Sequence, residues 1–102
     1  MKSRTFSGEV VAIIKSIPRG KVATYGQIAG LAGNRFASRQ VVWVLNSSSK
    51  NENLPWHRVV NSSGKISLKP GHGYEVQKTL LQEEGIVFDK EDKIDLKIYL
   101  WK

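Results

Sequence analysis

Phe6, Val10, Ile13, Ile14 and Ile17 recur every three or four positions, which predicts an amphipathic helix over residues about 5–17. Pro18-Arg19-Gly20 stops it. A second apolar set, Ile28, Ala29, Leu31 and Ala32, follows Thr24 and Gln27. The spacing of those two fits a capping box: the threonine hydroxyl takes the third amide of the helix and the glutamine side chain reaches back. Gly33-Asn34 suits a left-handed stop. Val41, Val44 and Leu45 face inward on a third helix, from Ala37 to about Ser47, and the polar run 47–53 reads as a surface loop. After the turn Asn61-Ser62-Ser63-Gly64, Ile66-Ser67-Leu68 reads as a short strand and a candidate wing. Val76, Leu80 and Leu81 predict a last helix over about 74–84, closed by Gly85. The alternation Ile94, Leu96, Ile98, Leu100 predicts an extended C-terminal segment. The sum is one domain over residues 1–102, mainly α with small β elements: a winged-helix-like domain built on a helix-turn-helix pair. An ordinary αα-hairpin in a core has the same pattern.

Charge separates these two readings in part. The net charge is +7, and the first 50 residues hold eight Lys or Arg against one acid, Glu9, while the rest is balanced. A basic half attracts polyanions, nucleic acid first among them, although solubility charge on a small domain gives the same total. The chain has no cysteine, which excludes disulfides, thiolate zinc sites and thiol catalysis. Its two histidines, His57 and His72, have no acidic cluster at ligand spacing, so neither a metal nor a cofactor is expected. No apolar run is long enough to span a membrane, and the first residues lack the apolar stretch of a signal peptide, so a cytoplasmic protein is expected.

Pro55-Trp56-His57-Arg58-Val59-Val60 resembles the Pro-Cys-His-Arg-Val active-site motif of the O6-alkylguanine-DNA alkyltransferases. Gly20-Lys21-Val22-Ala23-Thr24-Tyr25-Gly26-Gln27-Ile28-Ala29, Ala37-Ser38-Arg39-Gln40-Val41, Asn61-Ser62-Ser63-Gly64 and Glu83-Glu84-Gly85 resemble further stretches of that family, in the same order. The departure is Trp56, where the family has its alkyl-accepting cysteine. A thiolate can attack an alkyl carbon; an indole has no such lone pair. Tryptophan at this place is similar to the alkyltransferase-like branch, whose members bind O6-alkylguanine in DNA without repairing it and flag it for nucleotide excision repair.

The resemblance implies roles for individual residues. Trp56, Tyr25, Val59 and His57 would form the lesion pocket, with Trp56 a flat wall against a flipped base. Arg39 would be the finger that fills the gap left by the extruded guanine and offers its planar fork of donors to the orphaned cytosine. Thr24, Tyr25, Gln27, Ala37, Ser38 and Gln40 would face the DNA. His57 and Glu84 would be remains of a thiol-activating relay, kept for structure. Val42 and Trp43 are bulkier than the small residues often found just after the finger; either they face the core, or the helix seats differently in the groove. The expected partners are double-stranded DNA containing O6-alkylguanine and nucleotide-excision-repair proteins, with the protein a monomer. The competing readings are a sequence-specific winged-helix regulator and an enzyme using His57 or Glu84.

Overall fold

The structure, a computed structural model, describes residues 5–102; Lys2 and Arg4 of the basic half lie outside them. The first helix, α1 (Phe6–Ser16), is N-capped by Thr5, whose side chain accepts from the Gly8 amide at 3.0 Å. It buries Val10 and Ile14. A two-residue strand, β1 (Ala23–Thr24), leads directly into α2 (Tyr25–Leu31). Both halves of the capping box form at its start: Gln27 N–H donates to Thr24 Oγ1 at 3.0 Å, and Thr24 N–H donates to Gln27 Oε1 at 3.2 Å. Ile28 and Ala29 are buried, whereas Leu31 is exposed rather than part of the buried face. Gly33 takes the left-handed conformation, φ +106°. The turn then closes through Asn34, whose carbonyl accepts from Ala37 N–H and whose side-chain oxygen accepts from Phe36 N–H.

Helix α3 runs Ser38–Glu52, more than a turn beyond the expected end near Ser47. Within this extension the hydroxyls of Ser47 and Ser49 bond back along the helix. Ser47 Oγ donates to the Trp43 carbonyl at 2.9 Å, and Ser49 Oγ donates to the Leu45 carbonyl. Glu52 meets Lys15 of α1 at 2.9 Å, and Asn53 ends the helix in the left-handed region, φ 53°. One turn of 3-10 helix, Trp56–Arg58, follows and feeds β2 (Val59–Val60). β2 pairs parallel with β1, Ala23 opposite Val59 and Thr24 opposite Val60. This short ladder holds the Trp56–Arg58 turn next to the start of α2.

Ile66-Ser67-Leu68 is not a strand. Asn61 closes a local turn instead, accepting from the Ser63 and Lys65 amides through its side chain and donating its own N–H to the Lys65 carbonyl. Ile66 is buried, Leu68 partly exposed. The expected wing is therefore absent among the described residues. Helix α4 (Tyr74–Glu83) buries Gln77 and Leu81 and leaves Val76 exposed, contrary to the apolar pattern. The C-terminal segment is extended only in part. Ile94 pairs with Phe88 and donates its N–H to the Gly64 carbonyl at 2.9 Å. Asp95 then caps a short helix, α5 (Leu96–Tyr99), through its side chain. A side chain on Gly64 (φ +80°) would strike the Ile94 carbonyl, so glycine is required there. Beyond α5, Trp101 N–H donates to the Val22 carbonyl at 2.8 Å.

Two buried clusters result. One joins α1, α2, α3 and the start of β2 (Val10, Ile14, Ile28, Val41 and Val59 among others). The smaller joins β1's flank, β2, α4 and the C-terminal segment (Val22, Val60, Leu81, Ile86, Ile94). The Trp56–Arg58 turn lies between them.

Candidate lesion-binding site

A cavity of about 360 Å³ opens between α3 and the Trp56–Arg58 turn, within the roughly 300–1,000 Å³ range usual for small-molecule sites. Buried Leu45, Val59 and Gln77 form its deep part. Tyr25, Val42 and Trp56 are partly exposed in its walls, and Asn46 and Leu68 stand at the more exposed edge. The helical period explains α3's share. Val42, Leu45, Asn46 and Ser49 fall three or four apart, on one face. Arg39 sits one turn before Val42 and extends the same row. It is exposed and makes no hydrogen bond or ion pair among the described residues.

Trp56 is set in place by the turn that carries it. Its N–H donates to the Leu54 carbonyl at 2.8 Å, and its ring meets His57 edge-on, with centroids 6.1 Å apart and planes at 83°. His57 does not line the cavity. Its Nε2 donates to Glu84 Oε2 at 2.7 Å, which removes it from the pocket to which the resemblance assigned it.

Glu84 is the hub beneath the turn. Its side chain is 5% exposed. Oε1 accepts from the Gly20 amide at 2.9 Å and from Arg58 Nε at 3.0 Å; Oε2 accepts from His57 and from Arg58 Nη2 at 2.8 Å. Arg58 Nη1 donates onward to the Ile17 carbonyl at the end of α1, at 2.8 Å. Burial pushes the Glu84 carboxyl up, but the Arg58, Gly20 and His57 hydrogen bonds outweigh it and hold the group at about 2. A carboxylate so far below neutrality is a poor general base, and His57 is held against it, so the pair has the geometry of a brace.

The linkage gives a pH prediction. Unfolded, the carboxyl titrates near 4.5; folded, near 2. Stability from this group is complete above about 4.5 and is lost as the pH falls through 2. Its size is about 3 kcal/mol. Urea unfolding at pH 7, 4 and 2.5 is expected to show that decline, and a Glu84→Gln variant is expected to lack this component of it.

The residues expected to face DNA divide. Arg39 and Gln40 are exposed, and Ser38 and Tyr25 are partly so. Ala37 is only 4% exposed and belongs to the core. Gln27 is committed at both ends of its amide, to Thr24 and, through Nε2, to the Trp101 carbonyl at 2.7 Å; the Thr24 hydroxyl accepts from Gln27 N–H. These three build the starts of α2 and α3, and Thr24 and Gln27 remain partly exposed there. The question over Val42 and Trp43 resolves as a split: Val42 turns into the cavity, while Trp43 is 71% exposed. Phe36, 84% exposed with the Arg35 guanidinium 5.0 Å from its ring centroid, is a second exposed aromatic beside Arg39.

Comparison with known proteins places this geometry. Residues 5–86 match the model of the DNA-binding domain of 6-O-methylguanine DNA methyltransferase. The chain is 44% identical over 97 residues to the DNA base-flipping protein of Vibrio parahaemolyticus, across 95% of this chain and 96% of that protein. It is 43% identical over 100 residues to the DNA base-flipping protein of Escherichia coli, across 98% of this chain and 77% of that protein. Among solved structures it is similar to Schizosaccharomyces pombe Atl1 in complex with damaged DNA containing O6-carboxymethylguanine, with 36% identity and a TM-score of 0.83 over 100% of this chain and 99% of that one. The chain belongs to the alkyltransferase-like branch of the methyltransferase family.

Membership in that branch does not by itself reveal which residues complete the pocket. Leu45, Asn46, Ser49, Leu68 and Gln77 were not legible as site residues. The helical period from Arg39 through Val42 to Asn46 could have suggested the α3 members, once α3 was known to continue. Gln77 gave no signal, because a glutamine in an amphipathic helix normally faces water. Arg58 was legible only as part of the motif; its bond to Glu84 depends on α4 returning to the turn.

Proposed function

We propose that this protein recognises O6-alkylguanine in duplex DNA by turning the base out of the helix and into the cavity against Trp56, and that it leaves the alkyl group in place. The observation that carries this is an aromatic-walled cavity on the same helix as an unpaired, exposed arginine, in a chain with no cysteine. The names of the relatives and the damaged DNA bound by Atl1 support it. Extruding a base costs on the order of a few kcal/mol, less for a poorly paired damaged base, and stacking on an aromatic ring returns about 1–3 kcal/mol. Arg39, as the finger, offsets more by occupying the vacated stack.

Trp56 stands where the alkyl-accepting cysteine would be, and His57 and Glu84 are held by each other and by Arg58. No soft nucleophile faces the lesion, so recognition proceeds without transfer. In this reading the protein acts as a monomer in the cytoplasm, over residues 1–102 as one domain, and its complex with DNA marks the site for nucleotide excision repair. A sequence-specific regulator on the same scaffold would instead prefer one sequence over another, lesion or not, and would bind DNA unchanged after Trp56→Ala.

The test is a titration, at fixed salt, of two duplexes that differ by a single O6-methylguanine, followed by tryptophan fluorescence. The lesion duplex is expected to bind at least about tenfold more tightly; equal affinity would sink the proposal. Arg39→Ala is expected to weaken lesion binding while the slope of log K against log salt stays nearly unchanged, because a base-stack contact releases no counterion. A shallower slope with unchanged lesion preference would instead place Arg39 on a phosphate.

A further inference from the structure

Arg39 divides the exposed surface of α3 into two flanks. At 3.6 residues per turn, Val42 lies about 60° round the helix from Arg39 in one sense, with Asn46 between the two, and both residues line the lesion cavity. Trp43 lies about 40° round in the other sense, one turn further on, and Gln40 about 100° round in that same sense. Gln40 joins two shallow troughs on this second flank. It lines one with Phe36 and Arg39, and the next with Phe6 and Trp43. The exposed indole of Trp43 therefore stands on the side of Arg39 turned away from the cavity, with exposed Phe36 at the other end of the same trough. No acidic residue lines either trough, and the Arg35 guanidinium sits over the Phe36 ring.

Exposed aromatic rings among arginines, with no acid beside them, suit a partner that is anionic and rich in flat rings, which is nucleic acid. A second copy of this chain seated there symmetrically would set the same arginines against each other. The position relative to Arg39 also selects the strand. A base turned out into the cavity leaves its pairing partner in the stack, across the gap that Arg39 fills. The undamaged strand then lies beyond Arg39 from the cavity, on the side of Trp43. Resting on the lesion-binding reading above, we propose that Trp43 is a platform for the undamaged strand: its indole packs on a nucleotide of that strand beside the base left unpaired. Trp56 holds the base that has left the duplex, and Trp43 holds the strand it left behind.

The experiment follows the anisotropy of dye-labelled DNA at fixed salt with three probes: a duplex with one O6-methylguanine, the same modified strand alone, and the unmodified duplex. Trp43→Ala is expected to bind the lesion duplex about tenfold more weakly than wild type, yet the lone modified strand within about twofold, because that probe lacks the strand Trp43 holds. Trp43→Phe keeps a flat ring and is expected to recover most of the loss. Trp56→Ala, by contrast, is expected to weaken both forms. Trp43 is exposed, so its variants are expected to melt with the wild type. A second readout needs no single-stranded binding. With 2-aminopurine in the undamaged strand next to the base opposite the lesion, the emission change at saturating wild-type protein is expected to fall by more than about half with Trp43→Ala. Unchanged affinity for the lesion duplex, an equal loss on duplex and single strand, or an unaltered 2-aminopurine response would overturn the assignment. So would a wild-type dimer in sedimentation that Trp43→Ala disperses, which would make the trough a contact between copies. Equal wild-type affinity for the lesion and unmodified duplexes would instead sink the lesion reading itself.

Discussion

Glu84→Gln is expected to destabilise the protein by about 3–5 kcal/mol, the usual loss when one partner of a buried ion pair is removed. The geometry leaves the glutamine no good orientation. Both carboxylate oxygens accept from at least two donors: Gly20 N–H and Arg58 Nε at Oε1, His57 Nε2 and Arg58 Nη2 at Oε2. Whichever oxygen becomes an amine then meets two donors, and the Arg58 guanidinium, 17% exposed, loses its counterion. For a domain near 100 residues this corresponds to a melting temperature lower by about 12 °C or more. Calorimetric melting at pH 7 checks it; a shift of only a few degrees would mean that water replaces the carboxylate and that the brace is weak. The functional consequence is expected to follow the fold. The network ties α1's end, the Trp56–Arg58 turn and the end of α4 together, so lesion affinity is expected to fall alongside stability.

Trp56→Ala is expected to separate recognition from general DNA binding. Losing an aromatic platform for a stacked base removes about 2 kcal/mol, or about thirtyfold in affinity for an O6-methylguanine duplex. Affinity for the unmodified duplex is expected to stay within about twofold, because that binding rests on phosphate contacts away from the cavity. Trp56→Phe keeps a flat ring in the same wall and is expected to recover most of the lesion preference. If the alanine variant, still folded, kept its preference, the flipped base would have to rest elsewhere than on Trp56. If phenylalanine failed to rescue it, the indole N–H rather than stacking would be the operative contact.

Local features of the sequence foretold local structure well. The three-and-four spacing of Phe6, Val10, Ile14 and Ile17 produced α1, and Thr24 with Gln27 produced a complete capping box, since each depends on residues within one or two turns of each other. The failures were of the opposite kind. Ser47 to Glu52 reads as loop because serine and asparagine favour turns, yet it continues α3, with the Ser47 hydroxyl bonded back along the helix and Glu52 meeting Lys15 of α1. The alternation from Ile94 to Leu100 reads as strand, but Asp95 caps a helix in its middle. Among the residues assigned to DNA by resemblance, Thr24 and Gln27 also build the capping box and Ala37 also packs in the core, which the order of residues alone does not reveal.

The sequence by itself determined the family, the basic half, the absence of any thiol, and Trp56 at the place of the reactive residue. These are matters of residue identity and order, and no fold is needed to read them. Tertiary structure alone decided what surrounds Trp56. It brought Glu84 across 27 residues to His57 and 26 to Arg58, turned Val42 inward and Trp43 outward, and buried Gln77 with its amide clasped to the carbonyls of His57 and Val59. Each depends on how α3, α4 and the short β1–β2 ladder pack against one another, and packing is set by the summed burial of residues distant in the chain, which no local pattern encodes.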